Sequence, residues 1–272
     1  MTTRKIVQEI KRKVDTLIDT PTSQKPIVSI NHFRMDFGGK TVIKDLSFDV
    51  HRGEVFGFLG SNGSGKTTTI RALLGIYTPT SGELLVGDKP FSVSSGIKLG
   101  YLPEERGLYK KEAVLDVMIY FGQLKGLTRN DAKARAEAYL TRVKLSDKAT
   151  TRIDKLSGGQ QQKVQLGITI MNSPELLILD EPTKGFDPVN RRLLMDIIEE
   201  HQRGGATVIF VTHQMEEVER LCDRIVLLKD GRSHAYGTIA EVKKRFGDKS
   251  LDDIFLEVYG DENEQPEENG NV

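Results

Sequence analysis

Two hydrophobic textures alternate along the chain, and they predict different elements. In the first texture, apolar and polar positions take turns. Ile27, Val28 and Ile30, then Val42, Ile43, Leu46, Phe48 and Val50, read as strands buried on one face, with turns at Gly38-Gly39 and Arg52-Gly53. In the second, apolar residues run on almost unbroken: Val55 to Leu59, Leu176 to Leu179, Thr207 to Thr212, and a last strand at Ile225 to Leu228, turned at Asp230-Gly231. Such runs predict strands buried on both faces, hence a parallel sheet with helices above and below. Shorter strands are expected over Glu83 to Val86 and from Leu99 towards Glu104.

Helical periodicity fills the intervals. Helices are expected from Thr67 to Leu74, stopped by Gly75, from Ser157 to about Met171, and from about Asn190 to His201. Another follows His213 and buries Met215, Val218, Leu221 and Cys222, so Cys222 reads as a small core residue. Residues 111–155 are helical in texture: Val114, Val117, Met118 and Phe121 form one face, and Ala132, Ala136, Tyr139, Leu140 and Val143 another. This block reads as a helical insertion, about 105–165, in an α/β frame. Residues 1–26 stand apart. Ile6, Ile10, Val14, Leu17 and Ile18 share one helical stripe among Arg4, Lys5, Lys11, Arg12 and Lys13, before a linker at Thr20-Pro21-Thr22-Ser23. That segment reads either as an interfacial helix touching a membrane or partner, or as a short helix packing on its own domain.

Composition narrows the partners. The 272 residues suffice for one sizeable core or two modest lobes. Lys and Arg total 39, matched by 39 Asp and Glu, so charge proposes neither nucleic acid nor an anionic membrane. The single cysteine excludes an internal disulfide and fits a reducing cytoplasm. No apolar run approaches the roughly 20 residues of a spanning helix, and no signal-peptide block opens the chain. If membranes matter, another chain spans them. Residues 238–260 read as a helical extension, and 261–272 as an acidic tail with the composition of disorder.

Chemistry concentrates at the ends of the apolar runs. After Val55 to Leu59 comes Gly60-Ser61-Asn62-Gly63-Ser64-Gly65-Lys66-Thr67-Thr68, followed by a helix. Strand, glycine-rich loop and helix, with Lys-Thr at this offset, form a cradle for a nucleoside triphosphate. Glycines let backbone amides approach phosphate oxygens, and the helix start adds its dipole. Lys66 would reach the β- and γ-phosphates, and the Thr67 hydroxyl would bind Mg²⁺. Asp180 and Glu181 close the run at Leu176 to Leu179. Asp180 would order Mg²⁺, and Glu181 would accept the proton of a water attacking the γ-phosphorus. His213 ends the run at Thr207 and reads as a γ-phosphate contact. Leu156-Ser157-Gly158-Gly159-Gln160 opens a helix with Ser157 as N-cap, and taken alone it reads either as a second anion site or as an ordinary turn. Asp187 on its own reads as a helix cap, and Phe37 as a core aromatic.

Phe37, the phosphate loop, Leu156 to Gln160, Leu176 to Glu181, Gly185-Phe186-Asp187 and His213 stand in the order that resembles ATP-binding cassette (ABC) ATPases, over roughly residues 27–237. Gly100 to Tyr109 and Ser250 to Phe255 resemble the ATPase subunits of bacterial ABC-2-type exporters. The resemblance implies a phosphate-loop NTPase (RecA-like) core with a mostly parallel sheet, an antiparallel β subdomain and an inserted helical subdomain. It implies that Phe37 stacks on adenine, and that Ser157, Gly158, Gly159 and Gln160 contact the γ-phosphate of ATP held by a second copy of the chain. Asp187 would pass information between the two sites, and His213 would sense the γ-phosphate. The partners implied are a second copy and a multi-spanning membrane permease, with the ATPase peripheral on the inner face of the membrane. Glu104 stands where most of the family has Gln near Mg²⁺, Phe186 replaces the commoner Leu, and Ser61 the commoner Pro. Two rivals are a soluble ABC ATPase acting on ribosomes or DNA, and a non-catalytic cassette.

Overall fold

The structure is a computed structural model and describes residues 25–92, 96–105 and 107–260. The amphipathic segment over residues 1–24 and the acidic tail from 261 lie outside the described residues. Nine strands form one sheet among the described residues. At one end β1 (Val28–Phe37) pairs antiparallel with both β2 (Lys40–Val50) and β4 (Ser81–Val86). The other end is parallel: β3 (Val55–Gly60), β5 (Leu99–Leu102), β6 (Leu176–Asp180), β7 (Thr207–Val211) and β8 (Arg224–Lys229). The full order is β4-β1-β2-β9-β8-β3-β7-β6-β5, where β9 is Arg232–Thr238. A single parallel bridge, Asp45 to Arg232, joins the two parts.

The unbroken apolar runs now have a physical reason. Successive side chains of a pleated strand point to opposite faces, and both faces of the parallel part are covered. Val55 and Leu59 of β3, Leu177 and Leu179 of β6, and Val208 and Phe210 of β7 enter one core cluster. Phe56 and Phe58, Leu176 and Ile178, and Ile209 and Val211 enter the other. The first cluster is roofed by α2 (Val114–Leu124), α3 (Arg129–Arg142), α4 (Gly158–Ile170), α5 (Pro188–Arg203), α6 (Met215–Leu221) and α8 (Leu251–Tyr259). The second is closed by α1 (Lys66–Leu73) and the antiparallel strands. Gly100 lets α4 cross β5 closely, since a Cβ there would lie 2.8 Å from the Thr169 carbonyl oxygen.

The helical block of 111–155 resolves into α2, α3 and two short 3₁₀ turns, Ser146–Lys148 and Ile153–Lys155. Val114, Val117, Met118, Ala132, Ala136, Leu140 and Val143 are buried and share the first cluster, so the insertion packs into the main core. Between the helices Gly126 turns at φ 87, and Thr128 caps α3 through the Asp131 N–H. Cys222 is buried, and its burial pushes the thiol well above the ordinary range. β9 was not expected. Asp230 and Gly231, at φ 49 and 69, form the tight turn of a β8–β9 hairpin where the sequence reading ended the last strand. Residues 239–259 follow as α7 (Ile239–Arg245) and α8.

Candidate nucleotide site

Strand order places the chemistry. β3, β7 and β6 are consecutive neighbours, and Phe58 and Asp180 both register with Val211. The segments leaving their carboxyl ends carry the phosphate loop, His213 and Asp180-Glu181, so three distant stretches meet at one edge, where open α/β sheets bind ligands.

The phosphate loop is shaped by Gly65, which holds φ 108 as the residue before α1; a Cβ there would come within 2.4 Å of Ile43 Cδ1. No side chain caps α1, and its first turn carries no acidic residue. The helix start therefore keeps its positive end for a ligand anion. The Ser64 hydroxyl is buried without a hydrogen-bond partner. Lys66 Nζ donates to the carbonyls of Gly60, at 2.7 Å, and Ser61, at 2.9 Å, which curls the loop around its ammonium. Burial lowers the Lys66 pKa, opposed by Glu181, Asp180 and Glu104.

Opposite lie the carboxylates. Thr67 Oγ1 is 3.4 Å from Asp180 Oδ2. Burial, then the charges of Glu104 and Glu181, push Asp180 up to about 6, against the pull of Lys66 and the Thr67 hydroxyl. Glu181 adopts φ 48, a left-handed backbone that costs a non-glycine residue about 1 kcal/mol or more. Its N–H donates to the Val211 carbonyl at 2.9 Å. Its Oε1 lies 2.9 Å from His213 Nδ1, while Oε2 is buried and unpaired. A cavity of about 400 Å³ is lined by Asn62, Gly63, Gly65, Lys66, Thr67, Thr68, Glu104, Asp180, Glu181 and His213. Lys184 lines it as well, its Nζ 2.6 Å from Glu104 Oε1.

The other expected residues do not line this cavity. Ser157 caps α4 in a reciprocal box: its Oγ accepts from the Gln160 N–H at 3.3 Å, and Gln160 Oε1 accepts from the Ser157 N–H at 2.9 Å. Gly159 faces Phe186, whose ring would lie 3.4 Å from a Cβ there. Asp187 caps α5, accepting the Asn190 N–H at 2.9 Å. Phe37 is 40% exposed, so it is no core residue, and Tyr77 meets it edge-on with centroids 5.2 Å apart. Sequence reasoning passed over Lys184 and Tyr77. Lys184 beside Pro182-Thr183 was a usable signal; Tyr77 offered none, since only the fold brings it to Phe37.

A phosphate loop on a mainly parallel sheet, with paired carboxylates and a histidine at neighbouring strand ends, defines a phosphate-loop nucleoside triphosphatase. The profile of the ABC transporter family matches residues 43–184. The chain is 43% identical over 221 residues to an ABC transporter ATP-binding protein of Methanocaldococcus jannaschii, covering 81% of each. It is 36% identical to the linearmycin resistance ATP-binding protein LnrL of Bacillus subtilis, covering 86% of this chain and 76% of that one. Against a Nod factor export ATP-binding protein I of Cupriavidus pinatubonensis it is 35% identical, covering 87% and 72%. A solved ATP-binding subunit of an ABC transporter superposes with a TM-score of 0.79 at 28% identity, covering 85% of this chain and 99% of that one. The chain belongs to the ABC transporter ATP-binding proteins and is an ATPase.

Proposed function

We propose that two copies of this chain close on two ATP molecules and that the cycle drives export through a separate, multi-spanning permease of ABC-2 type. The observation that carries the hydrolytic part is Glu181. One of its carboxylate oxygens lies 2.9 Å from His213 Nδ1, the other is buried and unpaired, and the side chain lines the cavity of the phosphate loop. That carboxylate is suited to take a proton from an attacking water, with His213 orienting it and the γ-phosphate. Lys66 and the amides at the start of α1 hold the phosphates, and Phe37 offers an exposed face to adenine.

The residues fit a divalent cation. Thr67, Asp180 and Glu104 present hard oxygen donors, and the burial and neighbouring carboxylate charge that lift Asp180 are what a cation would offset. Mg²⁺ held by these residues would supply charge neutralisation to the bound phosphates. Closure between copies is supported by the start of α4, which carries bare glycines and no acidic first-turn residue yet sits outside the chain's own cavity. ATP bridging both copies favours the closed state, and loss of the γ-phosphate releases it.

The exporter reading is supported by relatives named for linearmycin resistance and Nod factor export. No helix among the described residues is long and apolar enough to cross a membrane. We place the chain in the cytoplasm, held at the inner face of the membrane by its permease, with no nucleic-acid partner. Glu181→Gln tests the core of this reading. ATP binding should persist, turnover should fall by about 100-fold or more, and light scattering should show an ATP-dependent dimer. Undiminished ATPase activity would remove Glu181 as base, and a monomer with ATP bound would remove the closure.

A further inference from the structure

We propose that Glu217 is a positioning residue for hydrolysis, a buried carboxylate that clasps the turn after Glu181 to the segment leading into His213. The proposal rests on the reading of Glu181 as the base. Glu217 lies in the first turn of α6 and is 1% exposed. Its Oε2 accepts two hydroxyls, Thr183 Oγ1 at 3.0 Å and Thr212 Oγ1 at 3.2 Å. Thr183 follows Glu181 by two residues, and Thr212 immediately precedes His213. Glu217 Oε1 lies 3.4 Å from Arg191 Nε, in the first turn of α5 just after Asp187. One carboxylate thus gathers the approaches to the base, to the histidine and to the helix that Asp187 caps.

Packing alone does not account for a carboxylate here. Met215 and Val218 supply the apolar contacts of the same helix, and the exposed Glu216 already places an acid at its positive end. Burying a carboxylate is costly unless it is well partnered, and desolvation raises the Glu217 pKa against the pull of Thr183, Thr212 and Arg191. What the two hydroxyls add is geometry. Glu181 holds its left-handed φ only while its surroundings over-determine it. One restraint is its own N–H on the Val211 carbonyl. The hydroxyl of Thr183 on Glu217 is a second, from the other side of Pro182. Thr212 is tied twice, donating to Glu217 and accepting the Gln214 N–H at 3.1 Å, which sets the backbone from which His213 projects. The 2.9 Å approach of His213 Nδ1 to Glu181 Oε1 is the product of both arms.

The test uses the full chain and steady-state ATP hydrolysis. Thr183→Val and Thr212→Val remove one hydroxyl each at nearly constant volume. Each is expected to lower kcat by about tenfold while KM for ATP stays within about twofold. Thr183→Ser and Thr212→Ser, which restore the donor, should recover most of the lost turnover, a rescue that a purely structural role does not require. Glu217→Gln should lower kcat by at least as much. Adding Thr183→Val to it should cost little more, because the two residues act as one unit. Wild-type kcat in both valine variants overturns the clasp, as do losses that match a measured fall in folded fraction or that add independently to Glu217→Gln. Should Glu217→Gln fail to fold, the valine and serine pairs still decide. Glu181→Gln is assayed alongside: full turnover there sinks the base, whereas normal valine variants beside a dead Glu181→Gln sink the clasp alone.

Discussion

Among the described residues two helix starts carry glycine, at α1 and α4, and they are built for different circumstances. α1 begins at Gly65 with no side-chain cap, and its surroundings in the same chain are complete: Lys66, Thr67, Asp180, Glu181 and His213 enclose one cavity. α4 begins at an exposed Ser157 and caps itself with a full reciprocal box. Both first turns lack acids and neither helix has an acidic cap, whereas α2, α3, α6, α7 and α8 each carry an acid in the first turn and α5 is capped by Asp187. An acid at a helix start is favourable in isolation, so its omission is informative where glycines leave the end accessible. On the proposed dimer, the first end would hold its anion from within the chain, whereas the second would satisfy its own backbone until a second copy brought the anion to it.

The comparison is broken most forcefully at α1. Lys66→Ala removes the ammonium from the cradle, and kcat/KM for ATP should fall by about 1,000-fold, with nucleotide binding lost in equilibrium titration. Full nucleotide affinity in that variant would mean the cradle is not the primary site. Gly159→Asp is the matching change at α4. An acid at this position is favourable to the isolated helix, and its Cβ meets Phe186 at an ordinary contact distance of 3.4 Å. It should therefore leave ATP binding by the monomer intact, yet repel an incoming phosphate and lower turnover by about 100-fold. Equal loss of ATP binding in both variants would erase the distinction between the two ends.

The two ends were also legible in the sequence to different degrees. The phosphate loop announces itself because Lys66-Thr67 must stand at a fixed offset from Gly60 on one continuous segment. Asp180, Glu181 and His213 were legible because they terminate apolar runs, and buried parallel strands place such residues at a common edge. β9 was not, because only Ala235 and Gly237 of its seven residues are buried and its link to β2 is one bridge between charged residues. Neither was the surrounding support. Glu217 meets Thr183 across 34 residues, so nothing local marks it, and Lys184, whose place beside Pro182-Thr183 was a signal, finds its partner Glu104 only across 80. Spacing shows which residues can do chemistry; which side chains hold them in place is a long-range property of the packed fold.

Asp180, which lines the cavity beside the start of α1, gives the comparison a pH axis. Its folded pKa of about 6 lies above the ordinary 3.8. A raised carboxyl means the folded chain binds the proton more tightly than the unfolded one, so stability is gained as pH falls through 6 and lost as it rises. The nucleotide-free chain in chelator should become more stable by about 1 kcal/mol from pH 7.5 to 5.5 through this group. Asp180→Asn should remove that increment, as read by denaturant titration at both pH values. An identical pH response in wild type and variant would show that burial and the charges of Glu104 and Glu181 do not raise this carboxylate.

The smallest effect separates the two duties of Ser157. As a cap it satisfies the Gln160 N–H of its own helix; as half of a shared site its hydroxyl would meet a phosphate held by the second copy. Ser157→Ala should cost about 1 kcal/mol of stability, whereas Ser157→Gly should cost only a few tenths, because glycine is itself tolerated at an N-cap. Both lose the hydroxyl equally. If the shared-site duty is real, turnover falls by about fivefold in both variants despite their unequal stabilities. If the glycine variant keeps wild-type turnover while alanine loses it in step with unfolding, Ser157 is a cap and nothing more. In that case contact with the second copy rests on the backbone of Gly158 and Gly159 alone.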